Sequence, residues 1–232
     1  MIEFFDKIET TIFGDIDRIL TAHDKRDAAI ALNDLAMSHH GKEQFDDAKM
    51  LYKLAISIFN NIASKDDLDY RNMTRSISNL ATIYEHRRKY NHAEILYRWV
   101  LEIYKEPLEP IHIAQSCHNL AKIYEIQHKT HDAIKMYKRE VCIRKRVLGL
   151  NHISTVQTIE NLGNICVRRN LYSDAIPLYV DMAMICDAML GQGNLLTATA
   201  WDNLATLYNR QGNHRVAASF HRKALAIRPN KD

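Results

Sequence analysis

Five residues recur at one place in a repeating pattern, and their side chains are of a kind that can hold another polypeptide. Asp34, Asn79, Asn119, Asn161 and Asn203 each stand immediately before a leucine, namely Leu35, Leu80, Leu120, Leu162 or Leu204. Asparagine is only a middling helix former, because its amide competes with the backbone for hydrogen bonds, so its recurrence in helical segments is not a propensity effect. An amide carries both a donor and acceptors and can bond the N–H and C=O of an extended peptide almost regardless of that peptide's sequence. The same side chains could instead satisfy the backbone of a neighbouring hairpin or face water, and the spacing alone does not choose between these uses.

Other chemistry is poorly supplied. His39 and His40 are adjacent and on a helix would point in different directions, while His128 and His131 straddle a turn; no HExxH or carboxylate partner stands at ligand spacing. No metal is expected. Cys117, Cys142, Cys166 and Cys186 are separated by at least twenty residues and form no CxxC pair, so they read as reduced, buried thiols acting as small apolar residues. Gly191-Gln-Gly193 lacks the preceding strand and the third glycine of a dinucleotide loop and reads as a linker. Acidic residues are scattered without an evident pair and no serine lies in a nucleophile elbow, so neither an enzyme nor a cofactor is expected.

The leucines that follow the five polar residues lie 45, 40, 42 and 42 residues apart. Each is followed thirteen residues later by an alanine: Ala48, Ala93, Ala133, Ala175 or Ala217. The residue directly after each leucine is small (Ala36, Ala81, Ala121, Gly163 or Ala205), which lets two helices approach closely. Four residues after each alanine comes Tyr52, Tyr97, Tyr137, Tyr179 or Phe220. In the last repeat, Leu204, Ala205, Leu207 and Tyr208 form one helical stripe and Gly212-Asn213 breaks it. Val216, Ala217, Phe220, Ala224 and Ile227 form a second stripe that ends at Pro229. Each repeat is thus a helical hairpin, and the period lies in the range of helical solenoids. The hairpins are placed at about 25–61, 69–105, 110–147, 152–190 and 195–228.

On these residues the chain resembles the tetratricopeptide repeat family over about residues 25 to 229. The last hairpin has the short ending Ala224-Leu-Ala-Ile-Arg-Pro229-Asn. Val147-Leu148-Gly149-Leu-Asn151-His152, followed by Thr155-Val156, resembles the linker of the longer repeats of kinesin light chains, and Ala175-Ile-Pro177-Leu-Tyr179 resembles the same subfamily, in which a proline is common at this place. The heptad coiled coil of those light chains is absent. The resemblance implies an all-α fold, a right-handed superhelical solenoid of helix-turn-helix hairpins whose first helices line a concave groove. It also implies that Asn79, Asn119, Asn161 and Asn203, with Asp34 in the equivalent place, contact a bound peptide.

Charges near that row are mixed. Arg75, Lys122, Arg168 and Arg210 supply cations, and Glu85, Glu125, Glu160, Asp202 and Asp34 supply anions. A clamp for a C-terminal carboxylate would cluster lysine and arginine, and that cluster is missing. The ligand expected is therefore a protein or peptide segment of mixed sign, held by an interaction scaffold or adaptor; a regulatory protein that changes pitch on binding a peptide or metabolite is the alternative. The formal charge of +3 is too slight to imply a polyanion, and nucleic acid is not expected. His86-Arg87-Arg88-Lys89 and Arg144-Lys145-Arg146 fall at helix C-terminal ends, where cations offset the helix dipole.

The 232 residues, 47% of them hydrophobic and 25% charged, can bury an ample core, and the low glycine and proline content suits a nearly all-helical chain. No apolar run approaches the roughly 18 to 20 residues a bilayer requires, so membrane insertion is not expected. Met1-Ile-Glu-Phe-Phe-Asp-Lys has acids where a signal peptide has a basic leader, which reads as a cytoplasmic chain. Residues 1–24 are assigned to an N-terminal capping helix, with Phe4, Phe5, Ile8, Ile12, Ile16 and Leu20 near one face, and a short linker from Thr21 to Asp24. Residues 25–232 are assigned to a five-repeat array, and self-association through its ends stays open.

Overall fold

The computed structural model describes residues 21–103, 110–190 and 194–227. The capping helix expected over 2–20 and the linker at 191–193 lie outside the described residues, as do residues 104–109. Ten α-helices, and no strand, occur among the described residues. They are α1 (Ala22–Gly41), α2 (Phe45–Asn60), α3 (Asp67–His86), α4 (Tyr90–Ile103), α5 (Pro110–Ile126), α6 (Thr130–Leu148), α7 (Ile153–Arg168), α8 (Tyr172–Leu190), α9 (Leu195–Arg210) and α10 (His214–Ile227). Consecutive helices pair as five hairpins, at the expected places to within a few residues.

Every hairpin turns in the same way, for a reason that lies in the backbone. Glu43, Arg88, His128, Asn170 and Gly212 all have φ between 55° and 77°, the left-handed region. Each stands eight residues after the leucine and five before the alanine of its repeat. The next residue then reaches back over the end of the first helix: the N–H of Gln44, Lys89, Lys129, Leu171 and Asn213 donates to the carbonyl of His39, Tyr84, Tyr124, Cys166 and Tyr208, at 2.8 to 2.9 Å. This is a Schellman closure, which satisfies carbonyls that a helix end would otherwise leave bare. Only the last repeat has glycine at the left-handed position; in the other four a side chain sits there at a cost of about 1–2 kcal/mol.

The two helices of a hairpin meet through the repeated small and aromatic residues. Ala36, Ala81, Ala121, Gly163 and Ala205 are buried, as are Ala48, Ala93, Ala133, Ala175 and Ala217. Tyr52, Tyr97, Tyr137 and Tyr179 are among the largest fully buried side chains, each contributing about 1.5–3 kcal/mol by removing ring area from water. The approach is close at Gly163, where a Cβ would meet the Tyr179 ring at 2.9 Å.

The chain divides into two compact units, Met1–Glu109 and Pro110–Asp232. In the first, α2 packs on α3, and α1 is tied to the start of α3 by Arg26. Arg26 Nε donates to both oxygens of Asp69, at 2.9 and 2.8 Å, and its Nη2 to the Ser64 carbonyl at 2.8 Å. In the second, α6 packs on α7 and α8 on α9.

Three details depart from the sequence reading. Thr21 to Asp24 is no linker: Thr21 caps α1, its hydroxyl accepting from the Asp24 N–H while the Asp24 carboxylate accepts from the Thr21 N–H. Leu35 is 48% exposed, whereas its counterparts Leu80, Leu120, Leu162 and Leu204 are at most 2% exposed. Within the units, the helices of Leu80, Leu162 and Leu204 each pack on a preceding described hairpin, and α1 has none. Cys142 is exposed, unlike Cys117, Cys166 and Cys186, because the inner face of α6 is formed by Tyr137, Glu140, Val141 and Arg144.

Candidate peptide-binding face

Burial of the leucine sets the position of the residue before it. Successive residues on a helix are rotated by about 100°, so a side chain preceding a buried leucine emerges at the edge of the packed face. In the first unit, Asp34 on α1 is exposed and Asn79 on α3 is half-buried. In the second, Asn119 on α5, Asn161 on α7 and Asn203 on α9 are all half-buried.

The amides differ in what they touch. Asn79 lies by the buried Tyr52 hydroxyl, which burial pushes up to about 12 while the amide pulls it the other way. The Tyr52 oxygen makes no hydrogen bond of normal geometry, so this contact is looser than the 2.6 Å bond that Tyr179 donates to Asn164. Asn119 Oδ1 accepts from Gln115 Nε2, one turn earlier on the same helix, at 3.0 Å. The side chains of Asn161 and Asn203 form no hydrogen bond among the described residues. Their donors and acceptors stand uncommitted beside a packed face.

The cations also fall into two groups. Arg75, Lys122 and Arg210 are exposed and form no ion pair among the described residues. Arg168 is paired: its Nη2 donates to Glu125 Oε2, linking the third hairpin to the fourth. The other Glu125 oxygen accepts from Tyr137 Oη at 2.6 Å. Burial, and then the Glu125 charge, push the Tyr137 phenol well above its ordinary range. Asp202 is likewise engaged, its carboxylate 3.0 Å from His221 Nδ1.

One polar cluster was not foreseen. Glu140 on α6 is fully buried, and its Oε1 accepts from Arg144 Nε at 2.7 Å and from Thr158 Oγ1 at 2.8 Å. Its Oε2 lies 3.1 Å from His118 Nδ1. Arg144, read from sequence as one of three cations at a helix end, is instead 9% exposed, and its Nη2 lies 3.5 Å from Gln115 Oε1. A signal existed: Glu140 falls seven residues after its alanine, where the other repeats carry Ala55, Val100, Met182 and Ala224. A carboxylate in an apolar register must be matched by buried donors. Beside the cluster, between α5, α6 and α7, opens a cleft of about 450 Å³ that Asn161 also lines.

Among the described residues, no three His, Cys, Asp or Glu side chains gather as a metal site requires, and no helix is long and apolar enough to cross a membrane. Burial raises the Cys117 thiol to about 11 and also raises those of Cys166 and Cys186.

Recurrent hairpins with one register of polar residues at the edge of each first helix define an all-α helical-repeat protein. The tetratricopeptide repeat family model matches residues 27–106 and 112–181, and a second tetratricopeptide repeat model matches residues 197–228; the chain belongs to this family. Among solved structures, it is similar to BtubC (BKLC) from P. vanneervenii, at 20% identity over 98% of this chain and 96% of that one, with a TM-score of 0.67. It is similar also to the nearly identical tetratricopeptide-like repeats of a Podosopora anserina kinesin light chain, at 20% identity over 85% and 93%, with a TM-score of 0.65. YrrB, a tetratricopeptide repeat protein with an unusual peptide-binding site, is similar at 14% identity over 90% of each chain, with a TM-score of 0.62. Comparison with curated proteins gave no match.

Proposed function

We propose that this chain is a protein-interaction scaffold whose first helices hold an extended peptide or partner segment, with the asparagine row bonding the ligand's backbone. The observation that carries the reading is the state of Asn161 and Asn203. Both occupy the same register on α7 and α9, both are half-buried, and neither amide is committed to a partner among the described residues. A polar group held at the edge of a packed face without a partner is poised to exchange water for a ligand's N–H or C=O. The family membership and the likeness to YrrB, itself described as having a peptide-binding site, support the same direction.

Each neutral hydrogen bond contributes about 0.5–1.5 kcal/mol net. A few amides, after the cost of ordering the peptide, give roughly micromolar affinity unless side-chain pockets add to it. Arg75, Lys122 and Arg210 stand free to favour acidic flanks, and Asp34 to favour a basic one. Buried thiols with raised pKa suit a reducing, cytoplasmic setting.

Affinity purification from the native cell, with an Asn161→Ala/Asn203→Ala double variant as control, tests the proposal. Partners should be retained by the wild-type chain and lost from the variant, whose helical circular dichroism should be unchanged. Equal recovery by both proteins would sink the asparagine reading.

A further inference from the structure

The formal charge of +3 is unevenly spread within the second unit. The outward sides of its second helices, α6, α8 and α10, lie opposite the alanines and tyrosines buried at the hairpin crossings. On that side of α6, Lys135, Arg139 and Arg146 follow one another at helical spacing; all are exposed, and none forms an ion pair among the described residues. The neighbouring Lys138 and Lys145 are taken, 3.8 Å from Asp174 and 3.3 Å from Asp181 of α8. On α10, Arg222 has the register of Lys138, five residues after its alanine, but no described helix lies beyond it to supply an acid. Arg215 is exposed two turns earlier, Lys223 Nζ lies 4.6 Å from the Trp201 ring centre, and α10 contains no aspartate or glutamate. Between them α8 contains no lysine or arginine and turns Met184 outward, 63% exposed. Five cations thus stand unpaired on these helices, against the unpaired acids Asp132 and Asp187.

We infer that this outward face docks on a lipid surface rich in anionic headgroups. One acidic strand or helix laid along α6 would leave the α10 cations unmatched. A plane of headgroups meets both helices together, with Met184 set toward the acyl boundary between them. Each lysine or arginine brought to such a surface strengthens binding about fivefold, and the two acids take part of this back. The attachment is therefore reversible and sensitive to salt, since exposed charges are screened over about 10 Å at 0.1 M ionic strength. It uses the second helices and leaves Asn161 and Asn203 on the first helices free, so it stands independently of the peptide-clamp reading.

The test mixes the full chain with sucrose-loaded vesicles of phosphatidylcholine, either alone or with about 30% phosphatidylserine, and reads the bound fraction after centrifugation. Three double variants each remove two cations: Arg139→Gln/Arg146→Gln on α6, Arg215→Gln/Arg222→Gln on α10, and Lys42→Gln/Arg169→Gln at exposed hairpin turns. Binding should require phosphatidylserine and fade at about 0.5 M sodium chloride. It should fall about twentyfold in each of the first two variants and less than about threefold in the third. All three variants should keep the wild-type helical circular dichroism, because every side chain altered is exposed. Equal binding to both kinds of vesicle, binding to neither, or an equal loss in all three variants would overturn the proposal. Capture of a fluorescein-labelled octaglutamate peptide without vesicle binding would assign the face to an acidic protein segment instead and end it as well.

Discussion

Glu140 illustrates how one residue can tie several helices together. Its carboxylate is out of water on α6 and is held by groups from α5, α6 and α7. Breaking such a buried pair from one side costs about 3–5 kcal/mol, because a bare charge remains, whereas replacing both members by apolar residues can be nearly neutral. Arg144→Leu should therefore unfold at markedly lower urea concentration than the wild type, and Glu140→Leu/Arg144→Leu should regain most of the loss. A single variant no weaker than the double would show that the charge is not held as described. Thiol reactivity gives a second check at this scale. Cys142 is exposed and the other three cysteines are buried. With burial raising the Cys117 thiol to about 11, Ellman's reagent should titrate one thiol quickly in the native chain and the remaining three only after denaturation.

Among the elements, the turns are where sequence and backbone disagree most. Arg88 and His128 hold φ of 55° and 60° without glycine's freedom. Arg88→Gly and His128→Gly should each stabilise by about 0.5–1 kcal/mol, the relief of the left-handed strain less the added entropy of the unfolded chain. Thermal melts that fell instead would mean the side chains contribute contacts beyond the turn. The hairpin interior predicts the opposite sign for a glycine. Gly163→Ala would gain about 1 kcal/mol in helix propensity, yet its methyl would press on the buried Tyr179 ring, and overpacking costs about 1–3 kcal/mol. The melting temperature should drop. His40, packed edge-on against Phe45 and Tyr52, has its pKa lowered from 6.5 by burial and then by His86. A group that resists protonation when folded stabilises fully above its unfolded pKa and loses that contribution as pH falls below it. The wild-type chain should weaken relative to His40→Gln as pH falls below about 6.5, measured by urea unfolding on both sides of that value.

For the whole molecule, stability in a stack of hairpins comes from each hairpin and its nearest neighbours, so compact groups of hairpins can stand alone. The unit Pro110–Asp232 contains three complete hairpins and the buried Glu140 network. Expressed as residues 110–232, it should keep its helical circular dichroism and a cooperative melt; a fragment without a cooperative transition would show that the first unit is required for it to fold. What the amino-acid order determined by itself was the repeat: the period, the two helices per repeat, and the small and aromatic residues at fixed offsets within it. These are legible because every repeat solves the same packing problem with the same residue at the same offset. Only tertiary structure decided which members of a register are used alike. Leu35 shares a register with Leu80 but lacks a described neighbour to cover it, and Asn119 is bonded to Gln115 while Asn161 and Asn203 stay open. Arg168 meets Glu125 from 43 residues away, and Glu140 accepts from Thr158 in the next hairpin. Such pairings depend on distances between chain-remote side chains, and a periodic pattern records the offset within a repeat but not what the next repeat brings against it.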